Sequence, residues 1–461
     1  MKMARWIACA GAIMGGVVPL VAGPAAAQQI SGDFHGTLSV GATDLRLGLS
    51  LTQGADGTLT GTMVSPDQSP KPLDLSAVGA RDGRLSFSVP AVGGRYEGLW
   101  DPARGAWLGT WTQGGQPLPL VLSVGKLAPV SRPQEPKPPF PYAAVEVAFD
   151  SVPGVRLAGT FTRPPGAGPF PAVVLVSGSG PQNRDQELLG HKPFLVLADY
   201  LTRRGIAVLR YDDRGTASLG GRSTGNFATA TSWDFADDAR AALAWLRGQP
   251  GVDAGRVGLI GHSEGALIGT IVAEKDPALA FLVMLAGPGV PGAALMSAQR
   301  EATARAMGLS AEFVSESQKL GRAVDQAVIE ARTPAAAQAA VRQLLIQSGV
   351  PASAVAAQTA QVTTPWYAAF VAYDPAPALA KLRMPVLALN GDKDVQVVSG
   401  LNLPAIRMAT QANRDVTVAE LPGLNHLFQT SPTGDPREYG KIEETFSPTA
   451  MTIIGAWILA R

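Results

Sequence analysis

Apolar and polar positions alternate with a period of two from about Ile30 to Val124. In one run every second residue is a leucine: Leu45, Leu47, Leu49 and Leu51. Turn signals such as Ala-Asp-Gly and Arg-Asp-Gly separate this run from similar ones. This alternation is typical of antiparallel strands that bury one face. We therefore predict a small all-β domain over residues 28–125, either a sandwich or a partly open barrel.

Three tryptophans of this region, Trp100, Trp107 and Trp111, allow two interpretations. They either fill the core of the β-domain or line a ligand-binding surface. Large aromatic side chains on strands are more often core residues. We therefore favour the core and keep the ligand surface as the alternative.

A proline-rich stretch separates the β-region from the rest of the chain. The segment APVSRPQEPKPPFPY, residues 128–142, holds six prolines. Proline removes backbone donors and fixes the backbone, so this stretch forms neither helix nor inner strand. We predict a semi-rigid linker over residues 126–141.

The pattern changes after Tyr142. Continuous apolar runs such as FPAVVLV are typical of strands covered on both faces, and they alternate with segments of helical period. This order predicts a doubly wound, parallel α/β sheet over residues 142–461, opened by an antiparallel pair. An alanine-rich helical stretch at about 293–373 is too long for one crossover helix, and we predict that it is a helical cap insertion.

The segment RVGLIGHSEGALIGTIVAEKD, residues 256–276, contains the first chemical signal. An apolar strand leads into Gly-His-Ser-Glu-Gly, and a helical pattern follows, as in a nucleophile elbow with Ser263 at the turn. The same G-x-S-x-G spacing recurs around Ser223, but no strand precedes it and no helix follows. Context therefore selects Ser263 as the nucleophile and predicts a loop at Ser223.

A serine nucleophile needs a base and an orienting carboxylate. Of the four histidines, only His426 follows the nucleophile in the sequence, just after a predicted strand. Asp392 and Asp394 both follow another strand end, and we prefer Asp394 as the acid. The chain order Ser263, Asp394, His426 is the nucleophile-acid-histidine order found in hydrolases whose nucleophile lies at a turn between a strand and a helix.

Composition narrows the partners. The 461 residues are 46% apolar and 16% charged, with a net charge of +1, so neither nucleic acid nor an acidic surface is indicated. Lys2 and Arg5 precede an apolar stretch that ends in Ala25-Ala26-Ala27, which predicts a signal peptide over residues 1–27 and export to the periplasm or the medium. The one cysteine, Cys9, lies inside it. We expect no membrane span after cleavage.

The region from Tyr142 onward resembles the α/β-hydrolases. It is similar to bacterial secreted carboxylesterases related to prolyl-oligopeptidase-like hydrolases. Two further loops carry this resemblance: SGSGP at residues 177–181 and RYDDRG at residues 210–215. The histidine common in the first loop is Ser177 here. The resemblance implies an oxyanion hole built from the backbone N–H groups of Glu264 and Ser179.

These features predict a serine carboxylesterase that hydrolyses short-chain acyl esters through an acyl-enzyme on Ser263. We expect a small-molecule ester substrate, no cofactor and no metal. A prolyl-oligopeptidase-like peptidase is the first alternative, although residues 30–124 are too few for a β-propeller. A non-catalytic binding protein on the same fold is the second. The oligomeric state is left open.

Overall fold

The computed structural model describes residues 30–40, 43–66, 69–128, 131–219 and 221–461. The chain divides into two compact units, Met1–Ala128 and Pro129–Arg461. The predicted signal peptide, residues 1–27, lies outside the described residues. Over the ranges that are described, no helix combines the length and the apolar character that crossing a bilayer requires.

The first unit is one antiparallel sheet of nine strands, so an all-β domain is present. The strands are β1 (Gly32–Val40), β2 (Thr43–Gln53), β3 (Leu59–Ser65), β4 (Ser69–Asp74), β5 (Ser76–Arg81), β6 (Arg84–Val89), β7 (Gly94–Asp101), β8 (Ala106–Gln113) and β9 (Gln116–Val124). Their order in the sheet is β4-β3-β2-β1-β9-β8-β7-β6-β5. Strands that follow one another in the sequence are therefore neighbours in the sheet, except β4 and β5, which stand at opposite ends of this order. A pairing between strands distant in the sequence joins β1 to β9.

Alternation along these strands sorts the side chains as predicted. Leu47, Leu49 and Leu51 are buried in β2, and Ser50 between them is exposed. Two of the three tryptophans lie in the core, because Trp107 and Trp111 are 0% and 1% exposed. They pack among other large buried side chains in the core of this unit: Phe34, Phe87, Tyr96 and Leu122. The core interpretation of these two tryptophans is confirmed.

The second unit contains a mixed sheet of eight strands. They are β10 (Ala143–Asp150), β11 (Arg156–Arg163), β12 (Phe170–Val176), β13 (Ala207–Tyr211), β14 (Val252–His262), β15 (Leu282–Leu285), β16 (Val386–Gly391) and β17 (Val416–Leu421), in the order β10-β11-β13-β12-β14-β15-β16-β17. The first two strands are antiparallel to their neighbours, and the remaining pairs are parallel. The continuous apolar runs form the centre, where β12, β15 and β16 are almost wholly buried.

Eleven helices lie within the described part of this unit. They are α1 (Pro193–Arg203), α2 (Ser232–Arg247), α3 (Glu264–Lys275), α4 (Gly292–Ala306), α5 (Ala311–Glu330), α6 (Pro334–Gln347), α7 (Ala352–Val362), α8 (Pro365–Ala372), α9 (Ala376–Leu379), α10 (Ser399–Ala409) and α11 (Pro448–Leu459). Six of them, α4 to α9, follow one another between β15 and β16. This segment has an apolar cluster of its own, which includes Val324, Val341, Leu345 and Val371.

The proline-rich stretch is bound to loops of the second unit. Besides the carbonyl of the adjacent Ser131, the Arg132 guanidinium donates to four backbone carbonyls of distant loops, those of Leu189 (3.1 Å), Gly190 (3.3 Å), Gly440 (2.8 Å) and Ile442 (2.8 Å). Gln134 bonds the backbone at Thr445 and Phe446. One charged side chain therefore joins two loops that are about 250 residues apart in the sequence.

We predict that Arg132→Ala lowers the free energy of unfolding by about 2–4 kcal/mol, because several charge-assisted hydrogen bonds are lost together. Urea titration of the full chain measures the loss. The control is Arg156→Ala, since Arg156 belongs to the same unit but forms an ion pair with Asp150 in which both side chains are more than half exposed. Such pairs contribute up to about 1 kcal/mol. Equal losses in the two variants would contradict a joining role for Arg132.

Candidate active site

Ser263 occupies a strained turn between β14 and α3. Its backbone angles are φ 57° and ψ −121°, in a region that non-glycine residues rarely adopt. The two flanking glycines have no space for a side chain. A Cβ on Gly261 would lie 2.1 Å from the Gly265 carbonyl oxygen, and one on Gly265 would lie 2.1 Å from the Val176 oxygen. The turn therefore has the geometry of a nucleophile elbow, and its glycines are required by close backbone approach.

His426 and Asp394 form a buried pair beyond the ends of β17 and β16. The imidazole Nδ1 and the carboxylate Oδ2 are 2.8 Å apart, and both side chains are at most 6% exposed. The other carboxylate oxygen accepts from the backbone N–H groups of Gln396 and Val397, each at 2.8 Å. Because three donors hold Asp394, the orientation of the ring bonded to it is also restricted.

Asp392, the alternative acid, is bonded elsewhere. Its Oδ1 accepts from the Gly423 N–H at 2.6 Å, and its Oδ2 lies 3.7 Å from Lys393 Nζ. The structure therefore brings Asp394, and not Asp392, into hydrogen-bond contact with His426.

A cavity of about 210 Å³ lies over the elbow. Ser263 and His426 both line it, together with the expected oxyanion residues Ser179 and Glu264. His262, Gly178, four glutamines and several apolar side chains complete the wall: Gln182, Gln186, Gln299, Gln396, Leu188, Pro288, Leu295, Met296, Trp366, Phe370, Val397 and Leu427. No lysine or arginine is among the described residues that line it.

The glycine-rich loop after β12 touches the nucleophile. A Cβ added to Gly178 would lie 3.2 Å from the Ser263 Cβ, so only a glycine fits comfortably there. The loop is held by Asp213, whose carboxylate accepts from the Ser177 hydroxyl and the Gln182 N–H, both at 2.9 Å. The RYDDRG motif thus supports the loop that carries Ser179, a role that the sequence did not reveal for Asp213.

Two arginine-aspartate pairs join the loop after β12 to the RYDDRG motif. Arg184 binds Asp212 through two nitrogens, at 3.0 Å and 2.9 Å, and Arg210 binds Asp185. Arg214 in turn binds the buried Asp238 of α2. These ion pairs have no signal in the sequence, because an ion pair across two distant loops has no local pattern.

The second G-x-S-x-G copy has no such geometry. Ser223 is fully buried in a loop, where its hydroxyl donates to the Asp212 carbonyl at 2.6 Å and accepts from the Ala158 N–H at 3.0 Å. Both bonds are structural. The prediction of a loop at Ser223 is confirmed.

The Glu264 side chain adds a feature that the sequence analysis missed. Its Oε1 accepts from the Ser232 hydroxyl at 2.6 Å and from the Trp366 indole N–H at 2.7 Å. Burial raises the pKa of this carboxyl, and the hydrogen bonds oppose the rise. The elbow, the start of α2 and the helix α8 therefore meet at one carboxyl group next to the nucleophile.

No group of three or more His, Cys, Asp or Glu side chains within the described ranges is arranged to hold a metal ion.

The chain was compared with known proteins. The family model of the X-Pro dipeptidyl-peptidases (S15 family) matches residues 153–406, more than half of the chain. Esterase EstD of Thermotoga maritima is 38% identical over 135 residues, which are 29% of this chain and 31% of that protein. An uncharacterised protein of Mycobacterium tuberculosis is 31% identical over 142 residues, 31% of this chain and 45% of that one. The chain thus matches less than half the length of these curated relatives.

Among solved structures, Pyrococcus furiosus esterase Pf2001 gives a TM-score of 0.44 at 14% identity, over 73% of this chain and 99% of that one. A proline iminopeptidase-related protein of Thermus thermophilus gives 0.41 at 18% identity, over 69% and 98%. The mixed sheet, the elbow and the matched family model define an α/β hydrolase. Within that clan, the chain belongs to the S15 family.

We predict that Asp213→Asn changes how stability depends on pH. Burial raises the Asp213 pKa from 3.8 to about 8, with the nearby Glu264 and Asp238 charges adding to it. A raised carboxyl pKa contributes stability that is complete below pH 3.8 and is lost as pH rises through 8. The free energy of unfolding of the wild type, relative to that of the variant, should therefore fall by about 1–4 kcal/mol between pH 5 and pH 9. The difference between their melting temperatures measures this change. A difference that stays constant over this range would show that Asp213 is already ionised in the folded protein.

Proposed function

We propose that the protein is a serine hydrolase that cleaves carboxylic esters with short acyl chains through an acyl-enzyme on Ser263. One observation carries the proposal. A buried Asp394–His426 pair and a serine in a strained elbow meet at one cavity. This is the arrangement that acyl transfer needs, because the base is oriented by a carboxylate and the nucleophile is exposed at the turn.

In this mechanism the Ser263 Oγ attacks the acyl carbonyl carbon and His426 Nε2 takes its proton. Nδ1 is bonded to Asp394, so Nε2 is the nitrogen left for this task. The oxyanion accepts hydrogen bonds from the N–H groups of Glu264 and Ser179. His426 then protonates the leaving alkoxide. Water, deprotonated by the same ring, releases the carboxylic acid and regenerates the serine hydroxyl.

The walls of the cavity support a short acyl chain. Its volume of about 210 Å³ is below the range of roughly 300–1,000 Å³ that drug-sized ligands occupy. Residues of α4 and α8 form one wall: Leu295, Met296, Gln299, Trp366 and Phe370. The helical segment Gly292–Ala372 acts in this proposal as a cap that limits the length of the substrate.

A peptidase is the second candidate, and the match to the X-Pro dipeptidyl-peptidase family favours it. An X-Pro dipeptide must place two residues on the acyl side of the scissile bond, and the small cavity argues against that. The partial match to an esterase also supports ester cleavage. A binding protein without catalysis is the weakest candidate, because Ser263 is held in a strained conformation that binding alone does not require.

The proposal includes export. Residues 1–27 carry the charged, apolar and Ala-x-Ala regions of a signal peptide, and no other part of the chain bears on localisation. Export would place the esterase in the periplasm or the medium.

Ser263→Ala tests the nucleophile. We expect ester turnover to fall by about three to six orders of magnitude, because the acyl-enzyme cannot form. A fluorophosphonate probe should label the wild type and not this variant. The control is Ser223→Ala, at the second copy of the motif, which should keep both turnover and labelling while losing stability. Labelling that persists in Ser263→Ala and disappears in Ser223→Ala would exclude the assigned elbow.

Substrate length and charge provide the second test. With p-nitrophenyl esters from acetate to palmitate, kcat/KM should first rise with chain length, because each added methylene contributes up to about 0.8 kcal/mol of burial. Beyond roughly six carbons kcat/KM should fall, because the cavity is full. A succinyl ester should be cleaved more slowly than a butyryl ester, because Glu264 lines the cavity and no Lys or Arg does among the residues that the structure describes. Continued increase to palmitate would indicate a lipase. Faster release from Ala-Pro-p-nitroanilide than from any ester would indicate the peptidase.

A further inference from the structure

His262 directly precedes the nucleophile and is not needed as a base in the proposed mechanism. Its ring is 5% exposed and lies against the ring of His426, with 4.8 Å between the centroids. Its Nε2 is 2.8 Å from the backbone carbonyl oxygen of His426. The base is therefore attached, through its own main chain, to the residue next to the nucleophile.

The hydrogen positions on His262 follow from its two partners. A carbonyl oxygen only accepts hydrogen bonds, so Nε2 carries a hydrogen and donates it to His426. Burial, with the His426 charge adding to it, lowers the pKa of His262 from 6.5 to about 3, so the ring holds a single hydrogen at neutral pH. Nδ1 is then an acceptor, and it takes a hydrogen from the Gln186 side-chain amide at 2.6 Å.

Gln186 selects this tautomer. Its side chain is 6% exposed, and its amide nitrogen faces His262 Nδ1. If the hydrogen of His262 moved to Nδ1, the amide N–H would meet another donor and Nε2 would turn a lone pair towards the His426 oxygen. Both contacts would be repulsive, so the glutamine keeps the donor on the side of His426.

We propose that His262 is a positioning residue, held by Gln186, that fixes the main chain of His426 at the distance from Ser263 that proton transfer requires. The inference rests on the proposed function. Proton transfer is sensitive to position, and a displacement of about 1 Å can lower the rate by about a hundredfold. The Asp394 bond orients the imidazole, but it does not anchor the peptide unit that carries it.

The rest of the His426 loop agrees with a need for precise placement. The Asn425 side chain accepts from the N–H groups of Leu427 and Gln429, and its own backbone N–H donates to the Gln429 oxygen at 2.9 Å. These bonds stiffen the loop internally. The bond from His262 joins the stiff loop to the elbow, which the internal bonds alone do not do.

The experiment compares His262→Leu, which removes the donor, with His262→Gln, whose amide can still donate from the position of Nε2. On a short p-nitrophenyl ester, His262→Leu should lower kcat by about tenfold to a hundredfold with KM within about threefold. His262→Gln should recover most of the lost kcat. A structural defect alone would not separate kcat from KM in this way.

Gln186→Leu provides a second route that leaves the ring in place. It should also lower kcat, and the double variant with His262→Leu should be no slower than His262→Leu alone, because both residues act through one hydrogen-bond chain. Multiplied losses in the double variant would overturn the inference. So would a kcat for His262→Leu equal to that of the wild type.

His191 provides the matched control, because it contacts the His426 loop without joining it to the elbow. It is also a buried histidine, and its Nε2 lies 2.8 Å from the Tyr439 carbonyl oxygen and 3.0 Å from Gln429 Nε2, but it does not line the cavity. His191→Leu should lower stability and keep kcat within about threefold. If it lowers kcat as much as His262→Leu does, the effect is a general loosening and the inference is wrong. A wild type that neither cleaves esters nor reacts with the fluorophosphonate would instead overturn the proposed function, and this inference with it.

Discussion

The close approach of three backbone segments at Ser263 is the constraint on which the site depends. Gly261 and Gly265 let the elbow close on itself and on the end of β12, and Gly178 lets the next loop reach the serine. A single Cβ at either of the first two glycines would overlap backbone atoms, which cannot move aside. The positive φ of Ser263 persists because the buried strands on either side of it hold the turn.

Buried carboxyl groups hold the loops around this turn. Asp212 and Asp213 come from one motif, yet one binds an arginine and the other binds a hydroxyl and a backbone N–H. Removing one partner from such a site leaves an uncompensated polar group in a low-dielectric region, so each member depends on the others. This interdependence gives the glycine-rich loop a single conformation without a regular secondary structure.

The cavity is built from segments that are far apart in the sequence. Ser179 comes from the loop after β12, His426 from the loop after β17, and Trp366 from α8. Glu264 connects these parts, because its carboxyl binds both the start of α2 and Trp366. In the proposed function the same residue contributes a backbone N–H to the oxyanion, so substrate binding and the position of α8 would be physically linked.

The sequence by itself determined what local periodicity and backbone stereochemistry encode. Alternation predicted the β-domain, continuous apolar runs predicted the buried strands, and a strand-Gly-x-Ser-x-Gly-helix pattern distinguished the elbow from its copy at Ser223. Chain order also selected His426, and the Gly391-x-x-Asp spacing favoured Asp394 before any distance was known.

Only the tertiary structure decided the contacts between distant segments. The bond from His262 to His426, the support of the glycine-rich loop by Asp213, and the binding of Arg132 to two loops have no periodic or spacing signal. A hydrogen bond between residues tens to hundreds of positions apart depends on how the strands are ordered in the sheet. The physical reason is that local pattern specifies which elements form, whereas packing specifies which of their ends meet.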